Sequence, residues 1–189
     1  MTHKPIIALL PVLAWVGFTP AHAAPQTRTF SVTGQVGSSC SLGTNSAPLT
    51  LATTVPTNGK LDTNLNGKTF TLTNAICSAP SSIIVRSTVL RRAPPNPSVP
   101  NGQSQAANFT ATATGWSSTP ATVTTAETSP LGSTTTYSGT ARSQNTAKTG
   151  TITVTFSNFT TVTGPNGNGT KLVDGSYSAT ITVSLTPSS

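Results

Sequence analysis

Apolar and hydroxylated residues alternate along most of this chain with a period of two, and nowhere do apolar residues recur at helical spacing over more than a turn. The clearest run lies near the C-terminus, where Tyr177, Ala179, Ile181, Val183 and Leu185 alternate with Ser176, Ser178, Thr180, Thr182, Ser184 and Thr186. A strict period of two puts one face on a core and the other in water, so the run predicts one half-buried strand. Upstream, Ile152, Val154 and Phe156 alternate with Thr151, Thr153 and Thr155. The Gly164-Pro165-Asn166-Gly167-Asn168-Gly169 stretch between the two runs predicts an antiparallel pair with a long, decorated connection. Three more segments repeat the pattern: Phe70 to Ile76 leading to Cys77, Ser82 to Leu90, and Phe109 to Thr114 leading to Trp116. At the other end, Phe30, Val32, Gly34 and Val36 alternate with Thr29, Ser31, Thr33 and Gln35 before Gly37-Ser38-Ser39-Cys40.

Thr, Val and Ile dominate these segments, and branching at Cβ suits a pleated, half-buried surface better than a helix. Six or more short strands with no room for crossover helices predict an all-β domain of antiparallel sheets, a sandwich or a barrel; a prolate β-sandwich is the expectation. Between two of the strands, Arg91 to Gln105 carries Pro94, Pro95, Pro97 and Pro100, which cannot donate to a ladder, and predicts an extended surface loop. The N-terminal alternating strand is open to two readings. A terminal strand is readily exchanged between molecules, and it can equally form the first strand of its own sandwich.

The compartment follows from the first residues. His3 and Lys4 precede an apolar run from Ile6 to Phe18, and Ala21-His22-Ala23 follows it. The run is about 13 residues long, short of the ~20 that a membrane-spanning helix needs, so residues 1–23 read as a secretory signal peptide cleaved after Ala23. Residues 24–189 then form one domain, exported through the periplasm, without an integral membrane span.

Processing alters the chemical inventory more than the length. Both histidines, His3 and His22, lie in the signal peptide; the acids are Asp62, Glu127 and Asp174, each isolated in sequence. A general base tuned near neutral pH, a metal cluster and a Ser-His-Asp relay need groups that residues 24–189 do not carry. The expectation is a protein that is not an enzyme, with no catalytic residues, no cofactor and no metal. Cys40 and Cys77, exported as a lone pair, predict one disulfide, the alternative being two buried thiols. Closing about 37 residues is worth roughly 4 kcal/mol in the loop-entropy picture.

Charged residues make up only 7% of the chain, so Ser, Thr, Asn and Gln must cover most of the surface. After loss of Lys4 the balance is nine basic to three acidic residues, a net charge of about +6. Arg86, Arg91 and Arg92 form the one local cluster, without interleaved aromatics, which argues against a nucleic-acid partner.

The signal peptide, Phe30-Ser31-Val32-Thr33-Gly34-Gln35-Val36 running to Cys40-Ser41-Leu42, Cys77 after an alternating strand, and Asp174-Gly175-Ser176-Tyr177 opening a last strand together resemble the spore coat protein U-like and archaic chaperone-usher pilin group. The resemblance implies an immunoglobulin-like antiparallel β-sandwich that lacks one strand. Its open groove would be filled first by a periplasmic chaperone delivering to an usher, then by the N-terminal strand of the next subunit, with Phe30, Val32 and Val36 as donor side chains. It implies a structural subunit of a fimbrium or coat at the cell surface, with like subunits as partners and Cys40 and Cys77 pinning the first strand to the second.

A second reading stays open: a self-contained secreted sandwich that binds a surface glycan or protein. Its candidates are Trp116, as a stacking platform rather than a core residue, and the Arg91 to Gln105 loop. Arg91 and Arg92 could be a contact or protease site or simply a solvated loop. Asn108, Asn158 and Asn168 each begin an Asn-X-Thr sequon, which a Thr-rich chain also produces by composition.

Overall fold

The computed structural model describes residues 31, 37–45, 65–163 and 171–188. The chain divides into two units, Met1–Gln35 and Val36–Ser189. Of the first, only Ser31 is described, and it is exposed. The second holds all described strands and no α-helix among the described residues. The all-β expectation therefore holds.

The strands are β1 (Cys40–Ser41), β2 (Thr44–Asn45), β3 (Thr69–Cys77), β4 (Ser81–Thr88), β5 (Leu90–Arg92), β6 (Gln103–Ser104) and β7 (Ala106–Thr114). They continue as β8 (Ala121–Thr124), β9 (Thr136–Ser138), β10 (Arg142–Gln144), β11 (Lys148–Thr161), β12 (Lys171–Leu172), β13 (Tyr177–Ser178) and β14 (Ile181–Pro187). Two curled antiparallel sheets carry most of them. The larger runs β1-β3-β11-β7-β5-β13, with β2 also on β3 and β8 also on β7. The smaller runs β10-β4-β14, with β9 also on β4, while β6 and β12 form a short parallel pair.

Alternation identified the strands but not their partners. The run from Tyr177 to Thr186 is not one strand: β13 pairs with β5 in the larger sheet, the ladder breaks at Ala179–Thr180, and β14 pairs with β4 in the smaller. Ser82 to Leu90 splits in the same way into β4 and β5, on opposite sheets. The expected antiparallel pair of the Ile152 and Ile181 runs does not form. β11 lies between β3 and β7, because the chain crosses from one sheet to the other before β14. A period of two records which face is buried and is blind to which sheet supplies the neighbour.

A bulge also redirects β3. Strict alternation from Phe70 through Leu72 would carry Ile76 inward, yet Asn74 adopts φ 59° and Thr73 and Asn74 together oppose one residue of β11. The extra residue reverses the faces beyond it. Ala75 and Cys77 point into the core and Ile76 is left 47% exposed. Asparagine tolerates this left-handed backbone better than a branched residue would.

Both sheets contribute to one apolar cluster. Leu72, Phe109, Ile152, Val154 and Phe156 come from the larger sheet and Ile83, Val85 and Val183 from the smaller. The rings of Phe109 and Phe156 meet edge-on at 5.9 Å, and Phe70 stacks on Phe156 at 6.1 Å. Each such side chain stabilises by ~1.5–3 kcal/mol on burial. The outward face of the larger sheet is hydroxylated throughout its centre. Thr69, Thr155, Thr112 and Thr122 stand in register across four strands, and Thr122 donates to Thr112 at 3.3 Å. These rows show how a chain with so few charges keeps a polar surface.

Candidate functional site

The disulfide expectation is met: Cys40 and Cys77 are bonded, and they are also directly opposite in the ladder of β1 and β3. Cross-linking therefore fixes a strand only two residues long to the edge of a nine-residue one. Ser78 N–H, donating to Ser39 O at 3.0 Å, extends this contact by one step.

Close to that staple runs the end of β14. Among the described residues β14 is paired on one side only, with β4. Thr88 N–H donates to Thr180 O at 3.0 Å and Ser188 N–H to Pro80 O at 2.8 Å, one at each end of the strand. Between these fixed points the alternation of an antiparallel ladder turns the backbone groups of Thr182, Ser184 and Thr186 toward β4. Those of Ile181, Val183, Leu185 and Pro187 face the other way. Proline stands here at the one kind of sheet position that tolerates it, with its missing donor on the unpaired side.

Side-chain burial shows the same asymmetry. The inward residues of β4, Ile83 and Val85, are fully buried. On β14 only Val183 reaches the core, while Ile181 and Leu185 are half-buried. Leu42, just after β1, is also half-buried and packs on the same cluster. Among the described residues, the result is an edge whose outward backbone donors and acceptors have no ladder partner, beside incompletely covered aliphatic side chains. Such an edge can accept a strand whose alternate residues are apolar. The sequence marked β14 as a strand, and Pro187 was the one signal that it is an edge.

Of the other residues singled out by sequence, the expected donors Phe30, Val32 and Val36 lie outside the described residues. So do Asp62, Asn168 and the signal-peptide residues. Trp116 is no platform: it is fully buried, its Nε1–H donates to Ser81 Oγ at 3.2 Å, and Lys148 lies over its ring at 5.8 Å. Asn108 is engaged at both ends of its amide, donating to Glu127 O and accepting from Glu127 N–H, whereas Asn158 is an exposed bulge residue at φ 54°.

The arginine cluster divides. Arg86 lies on the outward face of β4, while Arg91 and Arg92 end β5. The loop expected from Arg91 to Gln105 is shorter than its prolines imply, since Arg91 and Arg92 pair with β13 and Gln103 and Ser104 pair with β12. Gln105 is buried and gathers the loop inward. It donates to Asn96 O and Ser98 O and accepts from Asn96 N–H.

Three ionisable groups among the described residues are displaced from their ordinary values, and one of them, the Tyr137 hydroxyl, is raised by burial and by the charge of Glu127. Burial raises the Glu127 carboxyl, but the Ser133 hydroxyl and backbone N–H groups of Ser129, Thr128 and Ser133 outweigh it, leaving the pKa lowered. The Tyr177 hydroxyl is pushed up to about 12, chiefly by burial, with Arg92 opposing and Asp174 adding to the rise. The Glu127 carboxylate holds the backbone of Thr128 and Ser129, and the Tyr177 hydroxyl holds the carbonyl of Val173. Among the described residues no three His, Cys, Asp or Glu side chains gather as a metal site, and no helix is long and apolar enough to cross a membrane.

No protein-family model, curated protein or solved structure matches this chain. Its own features define a disulfide-stapled, all-β protein in which β14, among the described residues, is paired on one side only.

Proposed function

We propose that this chain is a structural subunit of an extracellular surface fibre or coat, an immunoglobulin-like sandwich completed along β14 by a donor strand from a neighbouring copy. The observation that carries the reading is that β14, among the described residues, pairs on one side only, with its core-facing Ile181 and Leu185 half-buried beside the unpaired edge. The alternating segment around Phe30, Val32 and Val36 has the period that such an edge accepts. Each of those side chains, once seated, contributes ~1.5–3 kcal/mol. Head-to-tail repetition of one donor and one acceptor does not close on itself and builds a fibre. Before assembly the same edge calls for a covering strand from a periplasmic chaperone, which is the role the resemblance implies for chaperone and usher.

Tyr177 supports the immunoglobulin-like part of the proposal. Its hydroxyl returns to the carbonyl of Val173 at the corner before the last strands, the arrangement known as a tyrosine corner in such sandwiches.

The test removes residues 24–36 from the processed chain. The shortened protein should fold poorly alone and be rescued by a peptide spanning Thr27 to Val36, and a peptide with Phe30, Val32 and Val36 replaced by Ala should fail to rescue it. The full processed chain should form oligomers that the wild-type peptide competes with. A full chain that stays monomeric, together with a shortened form that no peptide binds, would overturn the proposal.

A further inference from the structure

A second feature lies at the opposite end of β14 from the disulfide. There the junction of β13 and β14, the turn between β4 and β5, and the loops beginning at Ala93 and Ser133 enclose a cleft of about 390 Å³. That volume falls in the ~300–1,000 Å³ range of small-molecule sites. Arg91 and Arg92 both line it.

The two guanidiniums are positioned by neutral acceptors. Arg91 Nε–H donates to Leu131 O at 3.2 Å. Arg92 donates through Nε to Asp174 O at 2.8 Å and through Nη1 to Asn96 Oδ1 at 2.9 Å and Pro94 O. Gly175 makes room for this: a Cβ there would stand 2.5 Å from Arg92 Nε. Carbonyl and amide oxygens fix direction without cancelling charge. Of the nearby acids, Glu127 is occupied by Ser133 and the backbone of Thr128 and Ser129, and Asp174 meets Arg92 through its backbone carbonyl, so two cations stand against one acid. Arg92 spends its Nε–H and both Nη1 hydrogens on its acceptors, whereas the terminal Nη1 and Nη2 of Arg91 make no hydrogen bond among the described residues and form a fork suited to a carboxylate.

The rest of the wall is hydroxylated and lightly apolar. Thr134, Ser178 and Thr180 line it together with Pro95, and no aromatic or acidic side chain does. Hydroxyls that both donate and accept suit a polyhydroxylated ligand, and the small apolar patch suits the C–H face of a sugar ring. We infer that this cleft binds a carboxylate-bearing sugar, a hexuronate unit of an acidic polysaccharide, with Arg91 taking the carboxylate and Arg92 adding positive charge to the wall. The site does not depend on donor-strand assembly, since nothing that lines it belongs to the open side of β14.

Saturation-transfer NMR with galacturonate, galactose and inorganic phosphate, each added to the full processed chain, tests the inference in monomer or assembly alike. Galacturonate should show transfer and galactose should show at least tenfold weaker binding. Phosphate should compete only at concentrations at least tenfold above those of galacturonate. Arg91→Gln, whose parent side chain has a single anchoring bond, should weaken galacturonate at least tenfold without altering thermal unfolding. Ser178→Ala should weaken it severalfold, independently of charge. No transfer from galacturonate, equal binding of galactose, equal competition by phosphate, or unchanged binding in both variants would each overturn the assignment.

Discussion

The hydroxyl of Tyr177 donates to the carbonyl of Val173, four residues back, at 2.6 Å, and lies 3.4 Å from the carbonyl of Ser104. One phenol thus ties the start of β13 to the chain that enters it and to the end of β6, just before the polypeptide passes to the smaller sheet.

This bond sets an alkaline limit. The folded pKa of about 12 lies above the ordinary 10, so between those values the unfolded chain has lost a proton that the native one keeps. Stability from this group is complete below pH ~10 and falls as pH rises toward 12, by on the order of 2 kcal/mol. Urea unfolding of wild type should show that decline. Tyr177→Phe should lose ~1–3 kcal/mol at neutral pH, from the orphaned carbonyl, and show a flatter alkaline limb.

Glu127 sets the acid limit with the opposite sign. Its folded pKa is lowered from the ordinary 4.5, so its contribution is present above that value and disappears as pH falls through the lower, folded one. Glu127→Gln should cost ~1–3 kcal/mol at pH 7 and remove part of the acid dependence. Denaturant midpoints measured from pH 7 downward check both, and parallel curves for the two proteins would discount the carboxylate.

The disulfide should govern the N-terminal end of the domain. Reduction, or Cys40→Ala with Cys77→Ala, frees a loop spanning a separation of 37 residues and should destabilise by about 4 kcal/mol. Because β1 pairs over two residues only, amide exchange near Cys40 should accelerate more than that of β11.

Proline scanning along β14 distinguishes its two sides. Ser184→Pro removes a donor aimed at β4 and should cost ~1–3 kcal/mol of fold stability beyond Ser184→Ala. Leu185→Pro removes a donor on the open side. Relative to Leu185→Ala it should leave unfolding little changed yet abolish capture of the Thr27 to Val36 peptide. Equal loss of stability at both positions would show that the second side of β14 is already paired.

The sequence by itself determined the secondary structure class, the hydroxylated surface and the pairing of the only two cysteines. Each of these follows from local periodicity, composition or the lack of an alternative partner. Tertiary structure alone decided that the Tyr177 to Thr186 run changes sheets, that Asn74 turns Cys77 inward in place of Ile76, and that Trp116 belongs to the core. It also decided that Arg91 and Arg92 share a cleft with residues nearly ninety positions away. Alternation encodes which side of a strand avoids water. The choice of neighbour comes from long-range contacts that a pattern with a period of two does not record.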